Sequence, residues 1–151
     1  MSRARNRVAV LHGVNFGVLE KRDPELYAGL SLSELEYRIS GWANEFGLDP
    51  IFFQTDSEAE FCGFLHRLAD TADAAILNAG AWTHYSRAIA DAFAVDPVPA
   101  VEVHLSDVDS REEWRKVSVF DGMVEEKISG RGPDGYRDAL EAIAGILGTR
   151  S

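Results

Sequence analysis

The sequence predicts a single α/β domain built on one parallel five-stranded sheet with helices on both faces. Three observations carry that expectation. Short apolar, β-branched runs alternate with segments of helical period, the pattern of right-handed βαβ units. The 151 residues fit one domain, for which about 100–200 residues is usual. No internal repeat, low-complexity segment or interdomain linker interrupts the alternation. Five strands joined this way predict a doubly wound, flavodoxin-like sheet, with 1–151 as one unit.

The elements follow in order. RVAVLH (7–12) reads as the first strand, preceded by a basic tail, 1–6, expected to be disordered. SLSELEYRISGWANEFG (31–47) reads as a helix: Ser31 or Ser33 caps it, Leu32, Leu35, Ile39, Trp42 and Phe46 recur at helical spacing, and Gly47 ends it. DPIFFQT (49–55) is the second strand. DSEAEFCGFLHRLADTA (56–72) is predicted as one helix, capped by Asp56 or Ser57, with Phe61, Phe64, Leu65 and Leu68 on one face. AAILNAG (74–80) is the third strand and HYSRAIADAFAV (84–95) the next helix. VPAVEVHLS (98–106) is the fourth strand, REEWRK (111–116) a helical turn, GMVEEKISG (122–130) the fifth strand and GPDGYRDALEAIAGILG (132–148) the last helix, with Tyr136, Leu140, Ile143 and Leu147 inward.

Composition narrows the function. Fifteen Lys and Arg against 25 Asp and Glu give a formal charge of -10, which disfavours a nucleic-acid backbone as partner. A few arginines focused in a cleft still make a local site for a small anion. The single cysteine, Cys62, forms no internal disulfide and reads as a small buried hydrophobe. No apolar run approaches membrane-spanning length and no signal-type apolar region follows the basic N-terminus, so the expectation is a cytoplasmic chain without a membrane partner. The histidines show no metal-ligand spacing, and dinucleotide, nucleoside triphosphate and GxSxG motifs are absent; no metal and no cofactor are expected.

In doubly wound sheets the ligand sits beyond the carboxyl ends of the strands. The stretch HGVNFGVLEKRDPELYAG, which follows the first strand, is roughly three times the usual 2–6-residue connection. It carries Asn15, Lys21, Arg22 and Tyr27. A free phenol titrates at about 10, and a cation beside its oxygen favours the phenolate, so a tyrosine held by arginine is a candidate base. A ring that merely packs with its hydroxyl exposed is the plainer reading. Glu102 and His104 lie two apart in a strand and share a face, a pairing that suits a general acid or a satisfied core histidine equally. Asn78 ends the third strand, with Gly80 and His84 beyond it. Arg111 and Arg115 are one helical turn apart, where ion pairs with Glu112 or Glu113 compete with a ligand role.

Taken together, these segments resemble type II 3-dehydroquinate dehydratase over nearly the whole chain. The family's opening motif, roughly NGPNLNLLGxRxPxxYG, is met at Gly13, Asn15, Leu19, Arg22, Pro24 and Tyr27. TDSEAEF is similar to its second region, NAGAWTHYSRAIADA to NxGxxTHxSxAxxDA, EVHLSDVDSREEWR to EVHxSNxxxREExR, and ISGRGPDGYRDAL to its ending. The resemblance implies cofactor-free elimination of water from 3-dehydroquinate to give 3-dehydroshikimate through an enolate, within the shikimate pathway. Tyr27 would be the base, held by Arg22 on a mobile lid spanning 13–30. Asn15 would position a water against the enolate, and His104, oriented by Glu102, would protonate the departing hydroxyl. Asn78, His84 and Arg115 would grip hydroxyls and carboxylate, Ser106 and the Leu105 amide would hold the carboxylate, and Arg111 and a neighbouring subunit's Asp91 would complete the site. The partners implied are a small carboxylate substrate and further copies of the chain, as trimers packed into a dodecamer.

The departures gather in the opening loop. His12 stands for the family's Asn, Val14 for Pro, Phe16-Gly17 for Leu-Asn, Glu20 for the lid Gly and Ala28 for the Gly after the tyrosine; Asp107 and Asp109 replace Asn and His later. Phe16 and Trp82 are expected to add bulk near the pocket, and Glu20 and Asp107 to add negative charge at its mouth. An acidic mouth suits an amino-substituted dehydroquinate, a second reading beside plain dehydroquinate. A non-catalytic ligand-binding or scaffold oligomer is the third.

Overall fold

The five strands lie parallel in the order β2-β1-β3-β4-β5. The computed structural model describes residues 4–149. Along the chain, β1 (Arg7–His12) leads through two tight turns, a 3₁₀ segment Phe16–Lys21 and the four-residue α1 (Pro24–Tyr27), to α2 (Leu32–Glu45). Then follow β2 (Asp49–Gln54), α3 (Glu58–Leu65), α4 (Leu68–Thr71), β3 (Ala74–Asn78), α5 (Arg87–Val95), β4 (Ala100–His104), β5 (Glu126–Ser129) and α6 (Asp134–Leu147).

Period-two alternation distributes the strands' side chains to two cores. Val8, Val10, Ile76, Val101 and Val103 pack with Leu35, Ile39, Leu140 and Ile143 of α2 and α6. Ala9, Leu11, Ala75 and Leu77 pack with Phe61, Leu65, Leu68, Ile89 and Phe93 of α3, α4 and α5. The chain reverses its winding between β1 and β3, which places the switch point at the ends of those two strands.

Three elements differ from expectation. The segment predicted as one helix over 56–72 breaks at Arg67, whose φ of -123° leaves the helical region. The break lets Leu68 reach the core, and the amide of Ala69 finds the Asp96 carboxylate at 2.9 Å. The helix expected from His84 begins at Arg87, because the Ser86 side chain caps it by accepting from the Ile89 amide at 3.2 Å. His84 sits instead in a 3₁₀ turn, Gly80–His84. At the N-terminus, residues 1–3 of the expected tail lie outside the described residues, but Asn6 is tied in: its side chain donates to the Gly47 carbonyl at 3.2 Å, and its carbonyl accepts from the Asp49 amide at 2.8 Å. Among the described residues no helix is long and apolar enough to cross a membrane.

Candidate active site

Beyond the carboxyl ends of β1, β3 and β4 lies a pocket lined by Phe16, Arg22, Tyr27, Asn78, Gly80, Ala81, His84, His104, Leu105, Ser106, Val108, Arg111 and Arg115. Its cavity volume is only about 30 Å³, room for little more than a water, so the side chains that line it fill most of the site.

One wall comes from the loop after β1. Asp23 caps α1 by accepting from the Glu25 amide at 3.0 Å, and Pro24 at the first position presets its turn. That single turn folds Tyr27 back over Arg22. The Arg22 guanidinium donates to the Tyr27 oxygen at 2.7 Å and lies 3.9 Å from the ring centroid. Arg111 donates to the same oxygen at 2.9 Å and to Ser106 Oγ at 3.1 Å. Tyr27 is 8% exposed, so the plainer reading of an exposed hydroxyl does not hold.

The facing wall comes from β4. His104 Nε2 meets Glu102 Oε2 at 2.6 Å, and Ser118 Oγ donates to the other carboxylate oxygen at 2.7 Å. Burial works against the charged Glu102, but the bonds from His104 and Ser118 outweigh it and hold its carboxyl below the usual range. A carboxylate accepts only, so Nε2 carries the hydrogen and Nδ1 is the ring nitrogen left for other work. The His84 ring stacks 5.8 Å from that of His104, and its Nδ1 donates to the Val117 carbonyl at 2.7 Å. Burial, then the nearby His104 and Arg115, lower the His84 pKa against the opposing pull of the Val117 carbonyl.

The third wall is Asn78 at the end of β3. Its Nδ2 donates to the Tyr136 hydroxyl at 3.0 Å, and its Oδ1 accepts from the Gly80 amide at 3.4 Å. Tyr136 in turn lies 2.9 Å from His12 Nε2. His12 is fully buried, and burial drops its pKa to about 3, so the ring is neutral.

Of the residues singled out from sequence, Arg22, Tyr27, Asn78, His84, His104, Leu105, Ser106, Arg111 and Arg115 share the pocket, with Glu102 behind His104. Arg115 keeps an ion pair with Glu112 at 3.2 Å while lining it. Asn15 does not join them. It is exposed at a φ of 74°, and its amide donates to Asp56 Oδ1 at 2.7 Å. Asp91 is exposed on α5 and lines a neighbouring cleft with Tyr85, Arg87 and Val117.

Two expectations about the departures need correction. Trp82 adds no bulk to the pocket: it packs against Phe61 on the other side of the sheet, ring centroids 5.6 Å apart. Glu20 is exposed and Asp107 lines a different cleft, so neither puts charge in the pocket lining, which carries three guanidinium groups and no carboxylate. Sequence reasoning also missed Ser118 and Tyr136 as parts of the site's support. Tyr136 looked like any inward-facing helical residue, and only the fold brings it to Asn78. Among the described residues no group of three or more His, Cys, Asp or Glu side chains is placed to hold a metal ion.

Residues 6–144 match the family model for dehydroquinase class II. The chain is 44% identical to a 3-dehydroquinate dehydratase of Syntrophotalea carbinolica over 142 residues, 93% of this chain and 96% of that protein. It is 42% identical to one of Pelotomaculum thermopropionicum, with 95% and 99% covered. The crystal structure of a type II dehydroquinase from Propionibacterium acnes superposes with a TM-score of 0.88 at 38% identity, covering 95% of this chain and 99% of that one. The sheet order, the pocket and these relatives together place the chain in the class II dehydroquinase family.

Proposed function

We propose that the chain is a 3-dehydroquinate dehydratase that eliminates water through an enolate, with Tyr27 as base and His104 as acid. The observation that carries this reading is one oxygen: the Tyr27 phenol accepts from Arg22 and Arg111 in a pocket whose opposite wall is the His104–Glu102 pair. The two guanidiniums balance the charge of a phenolate that takes a proton from the carbon beside the substrate ketone. The electron pair left behind is held as the enolate and then expels the hydroxyl on the next carbon. His104 supplies the proton that turns that hydroxyl into water, and the Glu102 carboxylate balances the imidazolium before the transfer. Ser106, the Leu105 amide and Arg115 suit the substrate carboxylate; Asn78 and His84 suit its hydroxyls.

Segment 13–30 acts as the lid on this reading, and Asn15 enters when it closes, holding the water that meets the enolate oxygen. Asp91 completes the pocket of a neighbouring copy in a trimer-based dodecamer. A pocket lined by guanidiniums and no carboxylate favours plain dehydroquinate over an amino-substituted analogue. The test mixes purified protein with 3-dehydroquinate and follows the conjugated enone of the product by ultraviolet absorbance. A steady rise is expected. No rise at micromolar enzyme overturns the reading, and a higher kcat/KM for the amino analogue moves it to that substrate.

A further inference from the structure

His12, Tyr136 and Asn78 form a buried chain of polar groups that ends at the pocket wall, and its direction follows from counting donors and acceptors. His12 Nε2 and Asn78 Nδ2 both reach the single Tyr136 hydroxyl, at 2.9 and 3.0 Å. His12 Nδ1 is buried and has no hydrogen-bond partner among the described residues. If Nε2 carried the ring hydrogen, the tyrosine would accept twice. Its own hydrogen and the Nδ1 lone pair would then both go unmet. With the hydrogen on Nδ1, Tyr136 donates to Nε2 and accepts from Asn78, and only the Nδ1 hydrogen goes unmet. Burying an unmet polar group is costly, so the second arrangement is favoured.

We infer that His12 is a positioning residue: by accepting from Tyr136 it fixes Asn78 as a hydrogen-bond donor toward the substrate. Tyr136, having given its hydrogen to His12, offers Asn78 only a lone pair, so the amide nitrogen of Asn78 must face it. The Gly80 amide donates to the other end of the side chain, which must therefore be the oxygen. The second hydrogen of Asn78 Nδ2 is then left for the pocket that Asn78 lines. An imidazole whose ring stays neutral down to about pH 3 keeps this acceptor throughout the working range. The His12 ring also stacks on Phe16, centroids 4.7 Å apart, and Phe16 lines the same pocket.

This inference rests on the dehydratase reading only for its substrate, and the experiment separates the two. Turnover of 3-dehydroquinate by the unaltered protein tests the reading. The inference is tested by a double-mutant cycle between His12→Phe and Asn78→Ala, with His12→Gln as the conservative variant. His12→Phe is expected to raise KM about tenfold with kcat within about threefold, the size of one lost hydrogen bond. In the Asn78→Ala background the same change is expected to move KM less than about twofold. His12→Gln, whose Oε1 replaces the acceptor, restores most of the loss. Additive effects, or equal loss with Gln and Phe, overturn it. If the protein turns nothing over, the same cycle is read as Kd for 3-dehydroquinate by calorimetry. Solid-state ¹⁵N spectra of the histidine-labelled protein report the ring directly, whatever the variants do. A bare Nε2 and a protonated Nδ1 at His12 are expected, and a protonated Nε2 overturns the inference.

Discussion

The two facing walls of the pocket are built in opposite ways. The β4 wall holds Glu102 and His104 on a strand paired on both sides, with both carboxylate oxygens bonded and both residues buried. The loop wall holds Arg22 and Tyr27 on short turns, tied to the strand side through Arg111 and to α3's approach through Asp56. The sheet fixes a histidine whose buried carboxylate partner would be costly to leave unmatched. The loop carries a phenol whose partners are guanidiniums at a partly exposed surface. A change on the strand wall should therefore disturb packing as well as any chemistry, and a change on the loop wall should leave packing nearly intact.

That contrast is broken most sharply by Tyr27→Phe. Loss of the phenol proposed as base is expected to lower kcat by about 10³–10⁴-fold, with KM and the melting temperature nearly unchanged. A kcat within tenfold of the unaltered protein would remove Tyr27 from the chemistry. Glu102→Gln comes next: kcat should fall by about 10²-fold, and stability by about 1–3 kcal/mol, because a buried polar pair loses its match. Denaturant melts decide this one, and an unchanged midpoint would show that the strand wall is no more coupled than the loop.

Acid titration separates the walls again. The Glu102 carboxyl titrates below its unfolded value, so its stabilisation is present above about pH 4.3 and is lost as pH falls through the folded value. His12 works in another window. It stays neutral in the fold to about 3 while the unfolded chain takes up a proton below about 6.5. Stability therefore falls as pH drops from 6.5 toward 3, by at most about 1.4 kcal/mol per unit. His12→Asn should flatten that slope, and a slope unchanged between the two proteins would count against a neutral buried ring. The smallest effect is expected from Glu20→Gly. The exposed carboxylate lies outside the pocket lining, so kcat/KM for dehydroquinate should change less than about threefold; a larger gain would return the acidic mouth to consideration.

Local pattern made some of this site legible and left the rest invisible. Period two along VEVH put Glu102 and His104 on one face, and they meet at 2.6 Å. The oversized first loop, with Arg22 five residues before Tyr27, marked the pair that meets at 2.7 Å, because Asp23-Pro24 begins a turn between them. The break at Arg67 had no such signal, since LHRL continues a helical period and contains neither glycine nor proline. His12 and Tyr136 are 124 residues apart, and nothing local in either neighbourhood announces the other. Trp82 was misplaced for a related reason: proximity to Asn78 in sequence says nothing about which side of the sheet a 3₁₀ turn presents.

Gly13 pins the root of the first loop. Its amide donates to the Asn78 carbonyl at 2.9 Å, and a Cβ added there would lie 2.3 Å from the Ala79 carbonyl oxygen. The backbones leaving β1 and β3 are thus pressed against each other at the switch point, with no room for a side chain between them. The root of the loop is anchored to the end of β3. The Asn78 wall of the pocket therefore rests on two backbones locked together, and any side chain at position 13 would have to part them.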